Sequence, residues 1–222
     1  MSSYGKVHIV SGSKWLKTCI ILLFLTLTGG WFITVFLADK ARQEIIEHNE
    51  SIVSLHGYHL TAEFEKIERA VKTMSESPLF VSALTSLKQE DIARACWVLD
   101  RFNKNYDIAV SYIMDSNGLT IASSNRNNPD SFVGKSYHFR PYFTEAIKGF
   151  PSRYFALGAT SFKRGFYASH PVRDDKGVIV GVAAIKQDVD PEEGHLAKHP
   201  NFFLIDPNGV IFLSGRKDMN FK

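Results

Sequence analysis

Arg140 stands directly ahead of Pro141 in the stretch GKSYHFRPYFTEAIKG (134–149), with His138 two residues before it. Proline fits best at the first position of a helix, where its missing N–H is not needed. Arg140 is thereby placed at the positive end of a helix dipole, where a cation is electrostatically disfavoured. An anion held jointly by the guanidinium and the helix N-terminus would offset that cost. The bland alternative is a surface arginine paired with Glu145.

A second cation interrupts an apolar strand. In VIVGVAAIKQDV (178–189), Ile179, Gly181, Ala183 and Ile185 share one face, and Val180, Val182, Ala184 and Lys186 share the other. Both faces are apolar, so both should be buried, one of them against a helix. A buried ammonium needs a carboxylate partner or a solvated pocket. Asp188, next on the same face, is the internal candidate for that partner. Taken with Arg140, the two cations suit a ligand bearing two carboxylates, arginine offering a bidentate fork and lysine a point charge. Tyr137, Tyr142, Thr160, Ser161, Tyr167 and Ser169 could add neutral hydrogen bonds.

The elements that must position these residues follow from periodicity. From Asp39 to about Met74 the chain has no proline and one glycine, and apolar residues recur at Ile45, Ile52, Leu55, Leu60, Phe64, Ile67, Val71 and Met74. That spacing predicts one long amphipathic helix, ended by Ser75-Glu76-Ser77-Pro78. A second helix is expected over 89–103, with Cys96 buried in it. Strands are expected at 109–115 and 119–124 around Ser116-Asn117-Gly118, then at 153–161, 165–172 and 178–189, with a helix at 141–148 inserted. A further hairpin is expected over 201–215. The fold class is α+β: an N-terminal transmembrane helix, the long amphipathic helix, then an antiparallel sheet domain of PAS-like kind.

Thr18–Ala38 is a run of 21 residues without a charge, enough to cross a hydrocarbon core of roughly 30 Å as a helix. Lys6, Lys14 and Lys17 precede it, and a mixed set of charges follows. The positive-inside rule places the N-terminus in the cytoplasm and the rest outside. A cleaved signal peptide is the alternative, but its apolar core is shorter and Phe36-Leu37-Ala38 is a poor cleavage site. The exported part holds a single cysteine, Cys96, so no disulfide can form within it.

The segments FVGKSYHFRPYFTEAIKG, YFALGATSFKRGFYASHPV, GVIVGVAAIKQDV and FFLIDPNGVIFLSG, in that order, resemble the sensor region of C4-dicarboxylate sensor histidine kinases of the DctB type. The resemblance implies a double Cache architecture whose membrane-distal lobe binds succinate-like dicarboxylates. It implicates Tyr137, Arg140, Tyr142, Thr160, Ser161, Tyr167 and Lys186 in that binding. Ala159 and His170 depart from the family pattern, where a hydroxyl residue and an aromatic are commoner, so the exact acid stays open.

The expected division is a cytoplasmic tail (1–17), the span (18–38), the long periplasmic helix (39–78), the ligand-binding lobe (79–195) and the start of a truncated second lobe (196–222). The expected setting is the bacterial inner membrane, with the sensor domain periplasmic. Partners are a small carboxylate, the membrane and a second copy through the long helix, with a response regulator reached only through a kinase domain absent from this chain. The net charge is +3 and no block of like charge stands out, so nucleic acid is not a partner. There is no G-x-S-x-G, no P-loop and no Cys/His cluster. No catalytic residue, metal or cofactor is assigned, although the full-length parent is expected to be a histidine kinase. Rival readings are a chemotaxis transducer or diguanylate cyclase with the same sensor, an amino-acid-binding Cache domain using Asp188, and a dimerisation scaffold without a ligand.

Overall fold

The computed structural model describes residues 12–196, 199, 201–206 and 209–219. The N-terminal tail before residue 12, including Lys6, and Pro207-Asn208 of the expected hairpin turn lie outside these residues. The chain divides into two compact units at His56 and Gly57.

Helix α1 runs Gly12–Ser75. In the first unit it carries the uncharged run, the one helix among the described residues that is long and apolar enough to cross a membrane. Trp15, Phe24, Trp31 and Phe36 are all exposed there. The helix begins within the expected tail, so tail and span are one element from Gly12 on.

The second unit is a five-stranded antiparallel sheet. Its strands are β1 (Val110–Asp115), β2 (Thr120–Ser123), β3 (Ser152–Leu157), β4 (Arg164–Arg173) and β5 (Ile179–Asp188), in the order β2-β1-β5-β4-β3. One face meets three helices: the end of α1, α2 (Pro78–Ser86) and α3 (Gln89–Tyr106). Ile67, Val71 and Met74 of α1, Phe80 and Leu84 of α2, and Leu99 of α3 pack there against Ile113, Ala183 and Ile185. The other face meets α4 (Pro141–Ala146), and its core is Tyr112, Met114, Tyr142, Phe143, Tyr167, Val182 and Ala184. Alternation along β5 thus sorts its side chains between two cores, as the sequence pattern requires.

Two helices, α2 and a short one after β5, add to the expected elements, and β3 is shorter than expected. Ser77 is the extended N-cap of α2 and Pro78 its first residue, so the proline read as a stop also opens the next helix. Strand β3 ends at Leu157, four residues early, because Gly158 to Lys163 form a turn closed by Gly158 N–H to Lys163 O and Phe162 N–H to Gly158 O. Beyond β5 come α5 (Asp190–Leu196) and the hairpin β6 (Phe203–Ile205) and β7 (Ile211–Ser214). The hairpin joins the helix-side core: Phe212 and Leu213 belong to it, and Phe212 meets Phe155 edge to face at 5.1 Å.

Candidate functional site

Arg140 is the N-cap of α4, with extended backbone (φ −78°, ψ 134°) and Pro141 next to it at the helix start. The residue is half-buried; its guanidinium lies 5.3 Å from the Phe139 ring centroid and donates through Nη2 to the Leu157 carbonyl at 2.9 Å. That carbonyl is at the end of β3, where the strand gives way to the Gly158–Lys163 turn. The arginine therefore ties α4 to that turn.

Below it is a small cavity of about 10 Å³ lined by Tyr112, Phe132, Tyr137, Arg140, Tyr142, Gly158, Ala159, Thr160 and Tyr167. Five of the expected residues, Tyr137, Arg140, Tyr142, Thr160 and Tyr167, thus converge on one space. Arg140 is the only charged group among its lining residues. Tyr137 and Thr160 hydroxyls lie 2.7 Å apart and close the cavity on the turn side. Tyr142 and Tyr167 stack at 5.1 Å with an interplanar angle of 4°.

Burial raises the pKa of Tyr112, Tyr137, Tyr142 and Tyr167, in each case as the largest cause. The Arg140 charge pulls in the opposite direction on the last three. The phenols consequently remain neutral hydrogen-bonding groups at physiological pH.

The remaining expected residues lie beside this space. Lys186 is fully buried and ion-paired with Asp188, the internal partner the sequence offers. It is directly opposite Tyr167 in the β4–β5 ladder, and its stem runs against Gly165. Ser169 is buried and donates to the Tyr142 carbonyl at 2.7 Å, which pins α4 to β4. Ser161 is within the turn, its Oγ accepting weakly from the Lys163 N–H at 3.4 Å. A Cβ on Gly158 would come within 2.4 Å of that Oγ and 3.0 Å of the Tyr167 hydroxyl, so the glycine lets the turn lie flat on the tyrosine.

Sequence reasoning missed Tyr112, Phe132 and Gly158. Tyr112 is recoverable in principle: it shares a strand face with Met114, and a tyrosine on a fully buried face must find a partner for its hydroxyl. It finds Tyr142, at 2.9 Å.

No protein-family model matches the chain. Among curated proteins it is similar to the C4-dicarboxylate transport sensor protein DctB of Pseudomonas aeruginosa PAO1, 29% identical over 210 residues, covering 94% of this chain and 34% of that protein. The protein of the same name from Rhizobium meliloti 1021 is 26% identical over 209 residues, again 94% and 34%. The chain spans about a third of the length of these relatives. Among solved structures it is similar to the sensor domain of the histidine kinase DctB of V. cholerae, with a TM-score of 0.75 and 31% identity over 81% of this chain and 70% of that one. The ligand-binding domain of the Pseudomonas aeruginosa PAO1 amino acid chemoreceptor PctC, solved with GABA, shares the fold at a TM-score of 0.58 and 20% identity, covering 78% and 77%.

Proposed function

We propose, from the premise that this chain belongs to the DctB family of C4-dicarboxylate sensor proteins, that its second unit binds a small dicarboxylate such as succinate, fumarate or malate. The observation that carries this reading is the convergence of one guanidinium, Arg140, with the hydroxyls of Tyr137, Tyr142, Thr160 and Tyr167 on one cavity. A carboxylate is the ligand group that such a donor set recognises, because a guanidinium takes it bidentately and neutral hydroxyls saturate the remaining lone pairs. Lys186, opposite Tyr167 on the neighbouring strand, is the second cation and serves the far carboxylate. Ser161 and Ser169 support the site from the turn and from β4.

The cavity as it stands holds about one water. Ligand entry therefore separates Thr160 from Tyr137 and replaces the Leu157 carbonyl on Arg140 with a carboxylate oxygen. Lys186 likewise exchanges or shares Asp188. Each internal partner holds a binding group in place and is displaced by the ligand, which links occupancy to the position of the Gly158–Lys163 turn.

Residues 79–195 form the ligand-binding lobe in this reading, facing the periplasm, with residues 1–17 cytoplasmic, 18–38 spanning the inner membrane and 196–222 opening a second lobe. Exposed Ile45, Ile46, Val53 and Leu55 on α1 support a homodimer along that helix. The parent protein is a histidine kinase that phosphorylates a response regulator, and ligand occupancy biases its kinase through the membrane helices by differential affinity for two states. Calorimetric titration of succinate into the purified chain in detergent tests the ligand class. Saturable binding that excess fumarate or malate displaces supports it; the absence of heat and of any thermal shift with all three acids rejects it.

A further inference from the structure

The Tyr112 hydroxyl donates to the Tyr142 hydroxyl at 2.9 Å, at the buried wall of the cavity that both residues line. A phenol has one proton to give. Once Tyr142 accepts from Tyr112, its own proton must be directed elsewhere, and the open direction is the cavity that Tyr142 lines. The Tyr142 ring cannot swing away. It stacks on Tyr167, and its backbone carbonyl accepts from Ser169 at 2.7 Å. Tyr112 is itself held edge to face by Phe132 at 5.3 Å and is fully buried.

We infer that Tyr112 is a positioning residue for ligand recognition: by donating to Tyr142 it fixes the Tyr142 hydroxyl as a donor aimed at a carboxylate oxygen. The inference rests on the dicarboxylate reading of the cavity. A phenol locked as a donor favours an acceptor-only carboxylate over an amide, whose N–H₂ would meet a proton instead of a lone pair. Tyr112 therefore contributes discrimination against the monoamide of the same acid by acting through the Tyr142 hydroxyl.

The test is calorimetric titration of succinate and succinamic acid into wild type, Tyr112→Phe, Tyr142→Phe and the double variant, each as the full chain in detergent. Loss of one hydrogen bond of this kind weakens succinate binding by roughly three- to tenfold. Tyr112→Phe is expected to show that loss together with a smaller succinate-to-succinamate ratio, while melting near wild type. The double variant is expected to be no weaker than Tyr142→Phe alone, because the two hydroxyls act as one unit. If Tyr112→Phe melts too low to titrate, Tyr142→Phe alone must still lose the ratio. Wild-type affinity and ratio in Tyr112→Phe, or losses that add in the double variant, overturn the positioning role while the ligand class stands. Failure of wild type to bind succinate removes the ligand class and this role together.

Discussion

The Arg140 guanidinium and the Leu157 carbonyl are joined by a hydrogen bond of 2.9 Å that closes the top of the candidate site. It occupies one of the five guanidinium N–H groups, so the arginine can turn its fork to a carboxylate by giving up a single neutral bond. A lysine keeps the charge but not the fork. Arg140→Lys is expected to weaken succinate binding at least tenfold, while the melting temperature of the empty protein changes little. Calorimetry and a thermal melt of the same preparation check both halves.

Lys186 and Asp188 lead to a different expectation, because their pairing is internal. The Lys186 side chain is 2% exposed and that of Asp188 28%. Breaking a buried pair from one side leaves an uncompensated charge, at a cost of about 3 kcal/mol or more. Asp188→Ala strands the more deeply buried charge and is expected to destabilise more than Lys186→Met. The double variant recovers most of the loss, since removing both charges is close to neutral. Urea unfolding of the three variants gives the order directly.

His170 supplies a pH dependence. Its Nδ1 lies 2.9 Å from the Ser75 hydroxyl at the end of α1, beside a cavity of about 170 Å³ that Glu68, Arg153 and Ser169 also line. Burial lowers its pKa below the ordinary 6.5, and Lys72 and Arg173 add to this against an opposing Glu76 and a bond to the Pro171 carbonyl. The unfolded chain therefore binds the proton first. The contribution of His170 to stability is complete above about pH 6.5 and declines as pH falls from there toward the lowered folded value. His170→Asn is expected to flatten this part of the stability–pH curve, read as the difference between wild type and variant in thermal melts from pH 7.5 to 5.

Gly181 sits where β5 passes under α2. A Cβ there would meet the Met114 carbonyl oxygen at 2.3 Å and Leu84 Cδ1 at 2.8 Å. The first is a backbone atom in the paired strand and cannot step aside. Gly181→Ala is expected to destabilise by roughly 2 kcal/mol, or about 4–8 °C in Tm. An unchanged melt would show that the strand can shift without cost.

Much of this arrangement is legible in the chain because it rests on local rules. Period-two alternation in 178–189 sorts Ala183 and Ile185 from Val182 and Ala184 onto the two cores found. Pro141 places the start of α4 and puts Arg140 at its cap. Asp188 is two residues from Lys186, so their pairing follows from strand geometry alone. What is not legible depends on distant segments. The acceptor of Arg140, Leu157, is 17 residues away at the end of β3. Helix α2 is hidden because Pro78 ends one helical pattern and begins the next. Residues 158–161 read as strand because their apolar and hydroxyl residues continue the alternation, whereas they open a turn in which Phe162 adopts a left-handed backbone at φ 52°. That Tyr112 needs a hydroxyl partner is legible from its buried strand face, but that the partner is Tyr142 is not.

The central claim is that Arg140 anchors one end of a dicarboxylate whose other end reaches Lys186. It is tested most directly by titrating succinate and butyrate into wild type and Arg140→Ala, as the full chain in detergent. Truncating one partner of a desolvated charge pair costs roughly 2–5 kcal/mol, or about 30- to several-thousand-fold in affinity. Wild type is expected to bind succinate far more tightly than butyrate, and Arg140→Ala to lose succinate by that factor while still folding. Butyrate binding as tightly as succinate, or Arg140→Ala retaining wild-type affinity, would contradict it.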